Sequence, residues 1–183
     1  AEVKRTANAL KARGVGAGDV VGIYLPMIPE VVVAMLACAR IGAPHNVVFG
    51  GFAPESVRER MEVSNAKALF VPDGARRKGK TAPVKAEVDA VMGELADLET
   101  IFVVRNTGIE TPMLEGRDVW LDEICAEVEA ECPAEPLGAE HPLFILYSSG
   151  STAKPKGILH TTGGYMTGVT WTFKAVFDIK PQS

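Results

Sequence analysis

Residues 20–49 read VVGIYLPMIPEVVVAMLACARIGAPHNVVF, and this stretch decides the fold. Val20 to Leu25 is a short apolar run that stops at Pro26, the pattern of a buried strand. Pro29 suits the first turn of a helix, and Glu30 sits where the positive end of the helix dipole favours an acid. Val31, Val32, Met35, Leu36 and Ile41 form its apolar set, Arg40 falls in the last turn, and Gly42 stops the helix. A second strand, Asn46 to Phe49, follows after a short link. Strand, helix and strand in this order are the unit of a parallel sheet covered by helices.

Outward from this unit the alternation continues. On the amino-terminal side, residues 2–13 form an amphipathic helix closed by Gly14 and Gly16. On the other side come a helix from Pro54 to Val63, a strand from Lys67 to Val71, a helix from Pro83 to Leu95 and a strand from Thr100 to Val104. The fold class is therefore α/β, with strands and helices alternating and a parallel-type sheet flanked by helices. Residues 106–142 differ in texture: Pro112, Pro133, Pro136 and Pro142 interrupt them, and Glu127, Glu129, Glu131, Glu135 and Glu140 charge them. They read as an acidic, proline-rich connecting segment with one short helix around Val119 to Glu129. Pro142 to Tyr147 then reads as a further buried strand.

Whole-chain properties exclude several functions. A net charge of -4 gives no reason to expect nucleic acid or an anionic membrane as partner. No apolar run approaches the roughly 18–20 residues that cross a bilayer, and the polar start is not followed by a signal-peptide core. Cys38, Cys125 and Cys132 are odd in number and lack a C-x-x-C pair, which points to reduced thiols and a cytoplasmic setting. The sequence starts without Met inside a helical pattern and ends at Pro181-Gln182-Ser183, so a piece of a longer chain is expected.

Two segments carry the chemistry. The first is Tyr147-Ser148-Ser149-Gly150-Ser151-Thr152-Ala153-Lys154-Pro155-Lys156-Gly157. Small residues let successive backbone N–H groups point at one anion, and hydroxyls and lysines add donors and charge. No acid lies between Glu140 and Asp178. An apolar strand leading into the loop places it at the carboxyl edge of a sheet, where open α/β folds bind ligands. G-x-x-x-x-G-K-[ST] cannot be laid on it. Residue chemistry alone supports a phosphate-binding loop of unspecified kind, beside the plainer reading of a flexible Ser/Gly surface loop.

The second segment is the basic cluster of Arg76, Arg77, Lys78, Lys80 and Lys85, with no acid from Gly74 to Ala86. It fits either a solvated turn or a clamp for a phosphorylated ligand, since arginine offers a fork of donors and Gly79 permits close approach. His45, His141 and His160 are isolated from other metal ligands and read as structural, with His160 placed to line a cleft beside the loop. Trp171 and Phe173 read as core residues of a final helix.

The loop resembles the signature of the adenylate-forming enzymes, roughly Tyr/Phe-Thr-Ser-Gly-Ser/Thr-Thr-Gly-x-Pro-Lys-Gly. Its continuation, His160-Thr161-Thr162-Gly163-Gly164-Tyr165, is similar to that of acetyl- and propionyl-coenzyme A synthetases. The likeness runs over essentially the whole chain, including Gly50-Gly51-Phe52 and Ala75 to Lys80. It implies that residues 1–183 belong to the large N-terminal domain of such an enzyme, which joins acetate to coenzyme A through an acetyl-adenylate, with ATP and Mg²⁺. It assigns Ser148, Ser149, Gly150, Ser151, Thr152, Lys154, Lys156 and Gly157 to the ATP phosphate loop, with Lys156 able to anchor it. Arg77, Lys78, Gly79 and Lys80 match the turn that meets the nucleotide end of coenzyme A, Lys80 standing where some relatives have Arg.

The expected partners are thus small molecules, and no protein metal ligands are expected in this piece. The remaining catalytic parts are expected elsewhere, so the piece alone is expected to be inactive. Ser148 replaces the usual Thr, and Ala153 the usual Gly, where a positive φ would cost about 1 kcal/mol or more. The alternatives are a ligase for propionate or another acid, an adenylation domain that charges a carrier, and a non-catalytic nucleotide-binding module.

Overall fold

The computed structural model describes residues 1–93, 95–148 and 156–180. A seven-stranded sheet forms its centre, built from β1 (Val21–Ile23), β2 (His45–Val47), β3 (Ala68–Pro72), β6 (Thr100–Val104), β7 (Asp118–Trp120), β8 (Pro142–Ser148) and β9 (Lys156–Thr161). A separate two-stranded hairpin joins β4 (Ala75–Arg77) to β5 (Lys80–Ala82). The strand order is β7-β6-β3-β1-β2-β8-β9. Every pairing in the large sheet is parallel except that of β9 with β8. The expected parallel sheet is present, and the antiparallel β9 is an addition that begins inside the loop's own continuation.

Period-two alternation divides the core. Ala68 and Phe70 of β3 face one side with α1 (Glu2–Ala12), α2 (Pro29–Ile41) and Leu121 of α5 (Leu121–Glu127). Leu69 and Val71 face the other, with α3 (Pro54–Ser64) and α4 (Val84–Met92). Phe70 and Phe102, both fully buried on adjacent strands, stack at 4.9 Å between ring centroids. The connection from β1 to β2 passes through α2 on one face, while that from β3 to β6 passes through α4 on the other. β1 and β3 are neighbours whose connections leave in opposite directions, the topological switch point at which open α/β sheets bind ligands.

The segment after β6 holds more structure than its composition suggests. β7 is a three-residue edge strand, too short for a periodic signal, and the short helix begins only at Leu121. Backbone carbonyls farther along are tied to the first helix: Asn8 Nδ2 donates to Glu129 and Glu131, and Arg5 to Cys125 and Val128. The acidic side chains in this strap remain mostly exposed.

Lys85 does not belong to the basic patch. Its side chain is completely buried on α4, where its Nζ donates to Asp118 at 2.7 Å and to Asp89. Arg117 closes the cluster with bonds of 2.6 Å to Asp118 and 2.7 Å to Asp89. A lone lysine between apolar positions gives no sign in sequence of Asp118, 33 residues away. Burial pushes the Asp118 carboxyl up, but the donors of Arg117, Leu114 and Lys85 outweigh it and hold it below the usual range. Lys85→Met strips a buried carboxylate of a charge partner and is expected to cost about 3 kcal/mol of stability, read as a lowered denaturation midpoint. Unchanged stability would contradict a structural role for this lysine.

The last helix, α6 (Thr162–Ala175), also departs from expectation. Trp171 and Phe173 lie on it but are 68% and 47% exposed, so they are not core residues here. Their apolar character mimics a core signal, yet no other described element covers that face. Among the described residues, no helix is long and apolar enough to cross a membrane.

Candidate functional site at the carboxyl edge

Because β1, β2, β3 and β8 run parallel, the segments that follow them emerge at one edge of the sheet. Tyr24 follows β1, Phe49 to Phe52 follow β2, the basic hairpin follows β3, and the hydroxyl-rich loop follows β8. Three strand spacings separate β3 from β8, or about 14 Å. The basic hairpin and Ser148, the last described residue before the hydroxyl-rich segment, therefore share an edge.

The basic hairpin is built by its turn. Lys78 has φ 49° and Gly79 φ 77°, so both central residues are left-handed, as a two-residue hairpin turn with the right twist demands. Glycine accepts this freely, whereas Lys78 bears a cost of about 1 kcal/mol. Arg77 and Lys80 are direct cross-strand partners, and residues 76–81 are all exposed. Like charges placed opposite one another repel, and an anion between them removes that repulsion.

Asp73 sets the hairpin's base. This buried carboxylate accepts from the backbone N–H of Asn106 and Thr107, each at 3.0 Å, from Gly108 at 2.7 Å, and from Gly74. Burial alone would push its carboxyl up, but these four donors outweigh it and hold it below the usual range. At the other end, Arg77 donates to the carbonyl of Gly50 and lies 3.4 Å from the Tyr24 hydroxyl, tying the hairpin to the segments after β2 and β1. The Tyr24 hydroxyl donates in turn to the Phe52 carbonyl at 2.7 Å. A Cβ on Gly50 would stand 2.9 Å from the Leu25 carbonyl oxygen, so the chain segments after β1 and β2 touch there because the residue is glycine.

At the β8 end, Ser148 is exposed and pairs with Lys156, and Tyr147 pairs with Gly157. These pairs close the base of a seven-residue connection. Ser149, Gly150, Ser151, Thr152 and Lys154, together with Ala153, lie outside the described residues. Lys156 and Gly157 are exposed at the start of β9, and a Cβ on Gly157 would meet the Tyr147 ring at 3.2 Å.

The histidines differ from one another. His160 stacks on Phe144 at 4.4 Å and lines a cleft of about 540 Å³ with Tyr165, Gly168 and Phe173. His141 bonds the Gly42 carbonyl at 2.7 Å, beside the end of α2. His45 is buried under an apolar groove of about 680 Å³ lined by Val32, Leu36, Phe144 and Met166, and among the described residues its Nδ1 has no hydrogen-bond partner. Burial lowers its pKa from 6.5 to about 4. The unfolded chain therefore binds the His45 proton more readily, so acidification from pH 6.5 to about 4 is expected to remove up to about 3 kcal/mol of stability. His45→Phe flattens that part of a pH–stability curve. An identical curve for the variant would show that His45 carries no such linkage.

Cys38, Cys125 and Cys132 are free thiols, and burial pushes Cys38 and Cys125 up in pKa, which makes them poor nucleophiles. Among the described residues, no group of three or more His, Cys, Asp or Glu gathers to hold a metal.

A mostly parallel sheet between helices, with a polycationic hairpin after one strand and a serine- and glycine-rich segment following another in sequence, defines the class as an open α/β protein. A family model described as AMP-binding enzyme matches residues 1–183, and the chain belongs to that family. Acetyl-coenzyme A synthetase of Rubrobacter xylanophilus is 56% identical over 180 residues, covering 98% of this chain and 28% of that protein. The acetyl-coenzyme A synthetase of Streptomyces avermitilis is 54% identical over 182 residues, covering 100% of this chain and 28% of that one. Among solved structures, acetoacetyl-CoA synthetase from Streptomyces lividans matches with a TM-score of 0.88 at 33% identity, over 98% of this chain and 27% of its own. The chain thus spans a little over a quarter of the length of these relatives.

Proposed function

We propose that a full-length protein carrying this chain joins acetate to coenzyme A in two steps, in a reduced, cytoplasmic setting. The acetate carboxylate attacks the α-phosphorus of ATP, forming acetyl-adenylate and releasing pyrophosphate. The coenzyme A thiol then attacks the activated carbonyl, the thiol proton leaves, and AMP departs. Ser149, Gly150, Ser151, Thr152 and Lys154 hold the β- and γ-phosphates of ATP, which arrives with Mg²⁺ as part of the substrate. Ser148 adds a hydroxyl at the loop's foot, and Lys156 and Gly157 anchor its return. Arg77, Lys78, Gly79 and Lys80 receive the phosphorylated nucleotide end of coenzyme A. Residues 1–183 act within the larger AMP-binding domain, with 106–142 as the connection between β6 and β8.

The observation that supports this reading best is the shared edge: both anion-binding segments follow parallel strands of one sheet, on either side of β1 and β2. An acetoacetate-using ligase is the second reading, favoured by the structural likeness to a synthetase for that acid. Acetate ranks first because the relatives with that activity in their names are 54–56% identical rather than 33%. Steady-state kinetics of the full-length protein with acetate, propionate and acetoacetate test the choice. Acetate is expected to give the highest kcat/KM, with AMP, pyrophosphate and thioester formed in equal amounts. A higher value for either other acid would reassign the substrate, and no AMP with any of them would leave a nucleotide-binding module.

A further inference from the structure

Arg60 lies on α3, near neither strand end in sequence, yet it contacts segments from both. Its guanidinium sits 4.8 Å from the Phe52 ring centroid and 5.4 Å from that of Tyr147. Phe52 belongs to the turn after β2, and Tyr147 immediately precedes Ser148 at the foot of the hydroxyl-rich loop. Among the described residues, Arg60 forms no ion pair with a carboxylate. Its Nη1 folds back to the Ser56 carbonyl at 2.7 Å, which leaves the planar group free to lie against both rings.

The backbone at Arg60 is itself fixed. The Ser64 hydroxyl donates to the Arg60 carbonyl at 2.6 Å, and Asn46 Nδ2, fully buried on β2, reaches the same carbonyl at 3.4 Å. On the far side of Phe52 the connection continues. The Phe52 carbonyl accepts from Tyr24, and the Tyr24 hydroxyl and the Gly50 carbonyl both receive Arg77. A continuous set of contacts therefore runs from the basic hairpin through Tyr24, Phe52 and Arg60 to Tyr147. Burial raises the Tyr147 phenol's pKa against the pull of Arg60 and the Ser64 hydroxyl.

We propose that Arg60 is a positioning residue that couples the turn at residues 50–52, and with it the basic hairpin, to the foot of the loop at Tyr147. It touches no reacting atom. It holds the two ligand-binding segments in register, so that a ligand on either one meets a preset partner. The assignment of a ligand to each segment rests on the ligase reading, whereas the mechanical link does not.

The test uses a full-length protein carrying Arg60→Met or Arg60→Lys, with two readouts. The first is kinetic: Arg60→Met is expected to raise KM for coenzyme A about tenfold and KM for ATP about threefold, with kcat altered less than either. Arg60→Lys is expected to behave like the methionine variant, because an ammonium cannot lie flat on two rings. The second is amide hydrogen exchange, expected to quicken at residues 50–52 and 147–148 while β3 and β6 stay protected. Unchanged KM values, unchanged exchange, or full rescue by lysine would each overturn the proposal. If the unmodified protein forms no adenylate, the ligase reading fails, and the exchange readout still decides the role of Arg60.

Discussion

Replacing Thr152 and Lys154 together by alanine is expected to lower acetate-dependent pyrophosphate release by about 100- to 1,000-fold in a full-length protein that carries this chain. Adenylation sets an anionic carboxylate against a polyphosphate, so the barrier depends on donors and charge already in place around the phosphates. Removing one hydroxyl and one ammonium subtracts both kinds of stabilisation from the transition state. The loss should fall on kcat more than on KM for acetate, because acetate does not meet these groups. Pre-steady-state measurement of pyrophosphate release checks it. A change of less than about threefold would mean that the loop is not the phosphate site.

Charge reversal at the hairpin is expected to act on the other half of the reaction. Arg77→Glu removes the fork of donors, introduces a repulsive carboxylate and breaks the bridge to Gly50 and Tyr24. KM for coenzyme A should rise by about 100-fold, while acetate-dependent exchange of pyrophosphate with ATP changes by less than about threefold. The sensitivity should shrink as salt rises, since residues 76–81 are exposed and their charges are screened. Equal losses in both half-reactions would argue for a folding defect. Unaffected thioester formation would favour an adenylation domain that charges a carrier.

Much of this architecture is legible in residues 20–49 alone. Apolar runs ended by Pro26 and Gly42 mark the strand and helix, and repetition of that unit implies a parallel sheet. The loop after β8 stands out because glycine, hydroxyls and lysines cluster behind an apolar strand without acids. What escapes reading is what depends on distant partners. Lys85 looks like one more exposed cation until α4 and β7 bring Asp118 against it. Asp73 seems an ordinary turn acid, yet it collects backbone donors from a loop more than 30 residues away. Arg60 offers no motif because its role lies in two aromatic rings from separate segments. Trp171 and Phe173 mislead in the opposite sense, since an apolar pattern reports a wish for burial and not what supplies it.

On the proposed function, the carboxyl edge of this sheet binds two phosphorylated ligands, one at each end of the span from β3 to β8. A crystal structure of the full-length protein with coenzyme A and a non-hydrolysable ATP analogue tests it most directly. Triphosphate oxygens are expected within hydrogen-bonding distance of residues 149–154, and the nucleotide end of coenzyme A against Arg77 and Lys80. Ligands bound at the amino edge of the sheet, or both of these segments bare while the ligands sit elsewhere, would contradict it.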